Sequence, residues 1–539
     1  MNRPGIQLLD LSVEILLHIL KRLNNMNVLY SLIGVQGLDL LAQDKIFTNS
    51  LNFVLANNDP ITEQILNRFC NSILPRIHDN VKCLVLETTI MDRILRAGIY
   101  SNLTQLKIFK FQTNIFSRFC TEELLFRHNF KKQIADLTLL GDYSGDAETN
   151  DQTTNVFIKL LDFFENLNSL SGIGSFVTAD PVLSFTGSPG TSFVSSTLTK
   201  LCMSVDGFGD CLCLLDGRLN QLSTFIVIII HVKDYSSMEF HSNNLPNLKC
   251  FSLTYEHLTD EYDNQVVPLL HRMCNLEDLT LYIQIKERNR LVDGIQLENN
   301  ILLHLSKLEK FAFYICTFTS ANHPSNFLSN DDIRRTFSNA KFGPIGCNMN
   351  YINECNIRYH VFSLPFLFNH IGYIGNNFTN TVFKNVTVIG LFDGIPFEHE
   401  FFVRLARCFP FLKSLIIMND KAQSTDFAIS EHDNANGLFE VAQYLQLTSI
   451  DFSCTHIDYV EEMLNESKTR LPSLRRLWID YDQLKTVTKN FTRDSTRLNC
   501  IHVEQVDFQG SINDDDDYDS DWIKAQPNDF HVYFPLLKL

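Results

Sequence analysis

The sequence predicts an α/β protein: a short helical module at the N-terminus, then an irregular solenoid whose curved parallel sheet carries helices on its outside. Three observations predict it. A unit of the form L-x-x-[LIF]-x-[LIFV] recurs along the chain, mostly at spacings of about 24–35 residues, as in stacked strand–helix repeats. Between copies lie stretches such as "VFIKLLDFFENL" and "EHEFFVRLARCF", with apolar residues at helical spacing. The N-terminal stretch "LSVEILLHILKRLNNMNVLYSLIGV" is leucine- and isoleucine-rich in a helical pattern.

The 539 residues are 45% hydrophobic and 20% charged, which suits a folded chain rather than a disordered one. The formal net charge of -17 repels phosphate backbones, and no run of lysine or arginine offsets it, so no nucleic-acid partner is expected. "TFIVIIIHV" at Thr224–Val232 is the most apolar window. It is far shorter than the roughly 20 residues of a membrane span, so it reads as a buried strand. No secretory signal is expected, because Glu14 and His18 interrupt the first apolar stretch. The N-x-S/T triplets at Asn102, Asn385 and Asn490 then read as chance matches. The 14 cysteines are scattered, with no CxxC pair, and read as reduced thiols of a cytoplasmic or nuclear protein.

The opening helix is expected to start at Ser12 as N-cap, with Glu14 in the first turn, and to run to about Arg22. Ile15, Ile19 and Leu23 form one stripe; Leu16 and Leu20 form a neighbouring one, widened by Leu17. Asn27 is expected to cap a second helix bearing Val28, Leu29, Leu32 and Val35. Leu38, Leu40 and Leu41 fit a third. Each large aliphatic contributes roughly 1.5–3 kcal/mol if buried. Three short helices cannot bury them all among themselves, so the rest of the chain or a partner must cover a face.

This segment resembles the F-box, the module that docks F-box proteins onto the Skp-type adaptor of cullin-RING ubiquitin ligases. Leu11, Glu14, Ile15, Leu16, Ile19, Leu20 and Leu23 match the first part of the family pattern, and Val28, Leu29, Leu32 and Val35 the second. Ser12 stands where the family has proline, and "VQGLDLL" lacks the usual basic and aromatic end. The resemblance implies an adaptor-binding surface built from Leu11, Ile15, Leu16, Ile19, Leu20, Leu23, Val28, Leu29 and Leu32.

The repeats read "LTQLKI" at Leu103, "IADLTL" at Ile134, "LTKLCM" at Leu198, "LSTFIV" at Leu222, "LKCFSL" at Leu248, "LEDLTL" at Leu276 and "LEKFAF" at Leu308. They resume with "VTVIGL" at Val386, "LKSLII" at Leu412, "LTSIDF" at Leu447, "LRRLWI" at Leu474 and "LNCIHV" at Leu498. Alternate residues of each strand point inward, and no unit can bury its faces alone. The pattern resembles leucine-rich repeats. The asparagine that follows the strand in that family is absent, its places held by Glu256, Gln284, Cys316, Asp420 and Asp482. Together with "IPFEHEFFVRLARCFPFLKSL", this order of parts is similar to the expanded F-box/leucine-rich-repeat families of small invertebrates such as bdelloid rotifers.

The expected organisation is an F-box at 1–48, a helical linker at 49–95, a repeat array at 96–510 and an acidic segment with C-terminal tail at 511–539. The array carries an irregular excursion at about 317–385. The run Asp514–Asp517, with Asp519 and Asp521, reads as a solvated segment without EF-hand spacing. "FHVYFPLLKL" reads as a terminal cap.

No catalytic motif is present. His399 and Glu400 lack the second histidine of a zinc protease, and there is neither a phosphate-binding loop nor a nucleophile elbow. No cofactor, no metal and no catalysis by this chain alone are expected. The resemblance implies the substrate-recognition subunit of an SCF-type ligase, with a Skp-type adaptor, through it a cullin, and an unknown substrate protein as partners. The alternative is a non-catalytic interaction scaffold whose degenerate F-box recruits no ligase. Outward strand residues would form the substrate face: Asp278, Thr280 and Tyr282; Lys310, Ala312 and Tyr314; Ser414, Ile416 and Met418; Arg476, Trp478 and Asp480. Tyr282, Tyr314, Met418, Arg476 and Trp478 are the residue types expected to contribute most.

Overall fold

A computed structural model describes residues 11–54, 61–112, 127–141, 150–172, 182–185, 193–231, 244–288, 290–320, 328–353, 356–378, 380–424, 440–508 and 528–537. Its N-terminal segment folds into four short helices: α1 (Val13–Leu20), α2 (Asn25–Leu32), α3 (Asp39–Ala42) and α4 (Lys45–Thr48). The cap of α2 differs from expectation. Asn24, not Asn27, accepts from the Met26 N–H at 2.8 Å, because the chain already turns helical at Asn25. Gly34 then takes a positive φ of 86°, and its N–H donates to the Asp39 carboxylate, which reverses the chain into α3.

The rest is mixed α/β, with mostly parallel sheets and no closed barrel among the described residues. The chain divides into two units: 1–259 with 263–283 and 302–310, and 260–262 with 284–301 and 311–539.

The first unit holds β1 (Ser50–Asn52), β2 (Cys83–Glu87), β3 (Gln105–Phe111), β4 (Asp136–Gly141), β5 (Ser169–Gly172), β6 (Val182–Leu183), β7 (Lys200–Val205), β8 (Thr224–Ile229) and β9 (Cys250–Thr259). It also holds β10 (Asp278–Arg288) through Ile283. Strands β1 to β5 and β7 to β9 pair in parallel in chain order, with short β6 beside β7. The register places Leu51, Leu84, Leu106, Leu137, Leu170, Leu201, Phe225 and Phe251 in one row, every one buried. The repeat leucines are therefore inward residues, as their spacing predicts.

One backbone device recurs at each step. The N–H groups of Thr104 and Gln105 both donate to the Lys82 carbonyl, and those of Ala135 and Asp136 both donate to the Thr104 carbonyl. A side-chain ladder runs beside it. Asn102, Asn166, Asn247 and Asn275 donate to the carbonyls of Asp79, Lys132, Asn220 and Pro246. Each asparagine precedes an inward leucine, so the loop carbonyls are satisfied from before the strand rather than after it.

Residues 49–95 are more than a helical linker. They contribute β1 and β2, because "SLN" and "CLVLE" each place one more leucine in the inward row. Helices of this stretch also brace the N-terminal module. Arg76 pairs with Asp39 at 3.2 Å, and the Arg68 guanidinium lies 4.8 Å from the centre of the Tyr30 ring.

In the second unit, β11 (Lys310–Ser320; Lys310 belongs to the first unit), β12 (Ile345–Asn353) and β13 (Asn356–Ser363) pair antiparallel in the order β11-β13-β12. This hairpin occupies the expected excursion.

Parallel order resumes with β14 (His370–Ile374), β15 (Val388–Phe392), β16 (Ser414–Asn419), β18 (Ser449–Thr455), β20 (Arg476–Ile479) and β21 (Gln505–Phe508). The small strands β17 (Ala442–Gln443) and β19 (Thr469–Arg470) pair separately. Ile371, Ile389, Leu415, Ile450, Leu477 and Val506 form the buried row.

The last repeat is shifted from expectation. Leu498 lies in the helix Asp494–Cys500 and is exposed, while Val503 and Val506 take the inward places. Phe530, Tyr533 and Phe534 pack on Phe491 near the C-terminus. The acidic run at 514–521 lies outside the described residues.

Candidate functional site

Two surfaces emerge. The first is on α1. Leu16 and Leu20 are 4% and 5% exposed and join Val28, Leu29, Ile33 and Phe47 in the module's core. The neighbouring stripe is uncovered: Ile15, Ile19 and Leu23 are 49%, 41% and 53% exposed, and Val13 continues it. Leu11 and Leu32 are half-buried. The residues named from the F-box pattern thus split into a supporting core (Leu16, Leu20, Val28, Leu29) and an accessible apolar stripe (Ile15, Ile19, Leu23). Isolated exposed leucines are ordinary, whereas Val13, Ile15 and Ile19 on α1 and Leu23 just past its end are exposed together.

The second surface is the outward face of the parallel strands from β15 to β21. Register places Val388, Ser414, Ser449, Arg476 and Gln505 in one row, and Gly390, Ile416, Asp451, Trp478 and Asp507 in the next. Phe392 and Met418 lie opposite each other one step further on. Met418 and Trp478 are half-buried and Arg476 is exposed, so these three expected residues share one accessible face.

Tyr282 and Tyr314 do not belong to it. Both are fully buried. Over β11 the outward side is covered: the Tyr314 hydroxyl lies 2.8 Å from His360 Nδ1, and its ring meets Phe366 edge-on at 6.0 Å. Alternation fails in β10 as well, where Leu281, Tyr282, Ile283, Gln284 and Ile285 are buried consecutively. Period-2 patterning specifies a side, not whether that side meets solvent.

The chemistry around the covered face is polar but closed. Burial and the Arg358 charge hold the His360 ring well below the usual histidine range. The Arg358 guanidinium lies 4.4 Å from the centre of the Phe318 ring and 4.9 Å from that of Tyr373, and it donates to the Tyr373 carbonyl.

A cavity of about 730 Å³ opens at the C-terminal ends of β12, β15, β16 and β18, lined by Tyr351, Phe392, Ile395, Met418, Asp420 and Cys454. Another, of about 790 Å³, lies beside the helix His399–Cys408. There His399 Nδ1 is 2.6 Å from Glu462 Oε1, and Nε2 is 2.8 Å from the Glu440 carbonyl. Burial opposes the charged ring, but the Glu462 carboxylate and the Glu440 carbonyl outweigh it and raise the pKa. Two acceptors on one ring call for a doubly protonated imidazole, which ties three segments together.

Among the described residues no group of three His, Cys, Asp or Glu side chains is placed to hold a metal ion, and no helix is long and apolar enough to cross a membrane. Compared with known protein families and with curated proteins, the chain matches none.

Proposed function

We propose that this chain is the substrate-recognition subunit of an SCF-type cullin-RING ubiquitin ligase. Its N-terminal helices act as an F-box that docks a Skp-type adaptor, and through it a cullin. The strand array acts as a leucine-rich-repeat-like solenoid whose outward face takes the substrate protein. The chain itself performs no catalysis, and its place of action is cytoplasmic or nuclear.

The observation that carries this reading is the two-sided apolar helix α1. Leu16 and Leu20 hold the module together, while Ile15, Ile19 and Leu23 stay exposed in line beside them. Burying the remaining half of each such side chain against a partner contributes about 1 kcal/mol. A following array of parallel strands with an accessible row containing Ile416 and Trp478, and Arg476 one row earlier on the same face, supplies the second surface such a receptor needs.

The test is capture of a Skp-type adaptor by the full chain and by Ile19→Asp. Position 19 is exposed enough for the variant to fold, whereas Leu20→Asp would break the module's own core. Wild type should capture the adaptor at micromolar concentration or tighter, and Ile19→Asp should not. Failure of wild type to bind returns the protein to a non-catalytic interaction scaffold with a degenerate F-box.

A further inference from the structure

The middle outward row of the second unit has a composition its fold does not need. Asp451, Trp478 and Asp507 are consecutive across β18, β20 and β21. Adjacent strands lie about 4.8 Å apart, so the indole stands between two carboxylates on one face. Aspartate is disfavoured in strands, and two of them beside one aromatic are a local cost that nothing in the packing offsets.

Among the described residues the charges are also unpaired: Asp451 accepts only the Ser453 N–H, at 2.8 Å, and Asp507 only the Gln505 amide, at 3.0 and 3.1 Å. Each carboxylate retains lone pairs beyond these bonds. Neither has an ion-pair partner among the described residues. Elsewhere in the same unit, carboxylates near cations are used: Glu461 pairs with Arg493, Glu440 with Arg407, Glu504 with Arg475 and Asp420 with Lys421. Arg476 stands one row earlier on the same strand face and bridges to neither Asp451 nor Asp507.

Trp478 is half-exposed and makes no hydrogen bond, ring or cation contact of its own among the described residues. An aromatic face is an attractive surface for a cation, and flanking carboxylates add charge-assisted hydrogen bonds to the same group. Nucleic acid and anionic membrane surfaces carry the wrong sign for this row and for a chain of net charge -17.

We infer that this row is a recognition site for a cationic side chain, lysine or arginine, in an exposed basic segment of a partner protein, seated on Trp478 between Asp451 and Asp507. The inference rests on the reading of this sheet face as the substrate surface, and it names the chemistry of what binds there. Ile416, on the other side of Asp451, offers the cation's aliphatic stem an apolar neighbour.

The experiment uses the full chain carrying Trp522→Phe, so that Trp478 is the single emitting indole. The probes are short capped peptides containing arginine, lysine or, as the uncharged isostere, citrulline. Arginine and lysine peptides should change the Trp478 emission and bind about tenfold or more tightly than the citrulline peptide. The relative strength of the two separates a forked guanidinium from a compact ammonium as the preferred cation. The isosteric pair Asp451→Asn and Asp507→Asn should abolish that preference. Asp507→Asn alone, on the last strand, should weaken it should the double variant fold poorly. Equal binding of the citrulline peptide, an unchanged preference in the folded variants, or no response of Trp478 to any peptide would overturn the assignment.

Adaptor capture measured on the same preparations separates the two readings. Adaptor binding without cation preference removes this site alone. Cation preference without adaptor binding removes the ligase role and leaves the site standing.

Discussion

Tyr314 and Trp478 are both large aromatics on the outward side of their strands, and they meet opposite surroundings. Tyr314 is roofed by His360 and Phe366 and fully buried. Trp478 has strand neighbours but no roof among the described residues. The difference lies in what the chain does next. After β11 it folds an antiparallel hairpin onto the same sheet, and segment 364–374 returns across the face. After β20 it makes the helix Tyr481–Val487 and re-enters in parallel, so that among the described residues no hairpin lies over the outward row. A covered face contributes to stability, and an uncovered one is free for recognition.

Truncation should break the symmetry most sharply. Tyr314→Ala removes a buried ring and should cost about 3–5 kcal/mol, read as a large drop in melting temperature. Trp478→Ala should cost well under half of that and leave folding intact. Similar losses at both positions would mean that Trp478 also belongs to a core.

Acid should act on the covered face next. Burial and the neighbouring Arg358 keep His360 neutral far below its ordinary range, and burial takes His370 down to about 3. A histidine whose folded pKa is depressed loses stability as pH falls below its unfolded value of 6.5. Each such group contributes about 1.4 kcal/mol of loss per pH unit below that point. Denaturant unfolding at pH 7 and pH 5.5 should therefore show a fall that is about 1 kcal/mol smaller in His360→Gln. Parallel pH profiles for the two proteins would contradict the neutral, buried imidazole.

The smallest effect should come from the asparagine ladder, which lies at the strand entries rather than on either outward face. Asn275 Nδ2 donates to the Pro246 carbonyl at 2.8 Å, and Asn275→Ala should cost about 1 kcal/mol without touching any binding. Loss of partner capture in that variant would show that the ladder shapes the outward face as well.

Much of this was legible in the sequence. The inward rows follow from leucine at fixed offsets, and the two stripes of α1 follow from i, i+4 spacing. Strands β1, β2 and β5 were less visible because their units depart from the pattern at one end, at Thr48, Val81 and Gly172, although Leu51, Leu84 and Leu170 occupy the same inward row. The last unit slipped because "LNCIHV" imitates the motif, while its leucine faces solvent from a helix. The ladder asparagines are present as "NL" before the strands in 102–103, 166–167, 247–248 and 275–276, whereas the leucine-rich-repeat pattern places its asparagine after the strand. The roof over Tyr314 was not legible at all, since it depends on a hairpin pairing back across more than 40 residues of sequence, from Tyr314 to Phe362.

Hydrogen–deuterium exchange of the full chain, alone and with a Skp-type adaptor, tests the central claim most directly. Binding should slow exchange across residues 13–23, where the exposed stripe of α1 lies, and leave β16, β18 and β20 unchanged. Absence of protection in that helix, or protection confined to the strand face around Trp478, would contradict the account.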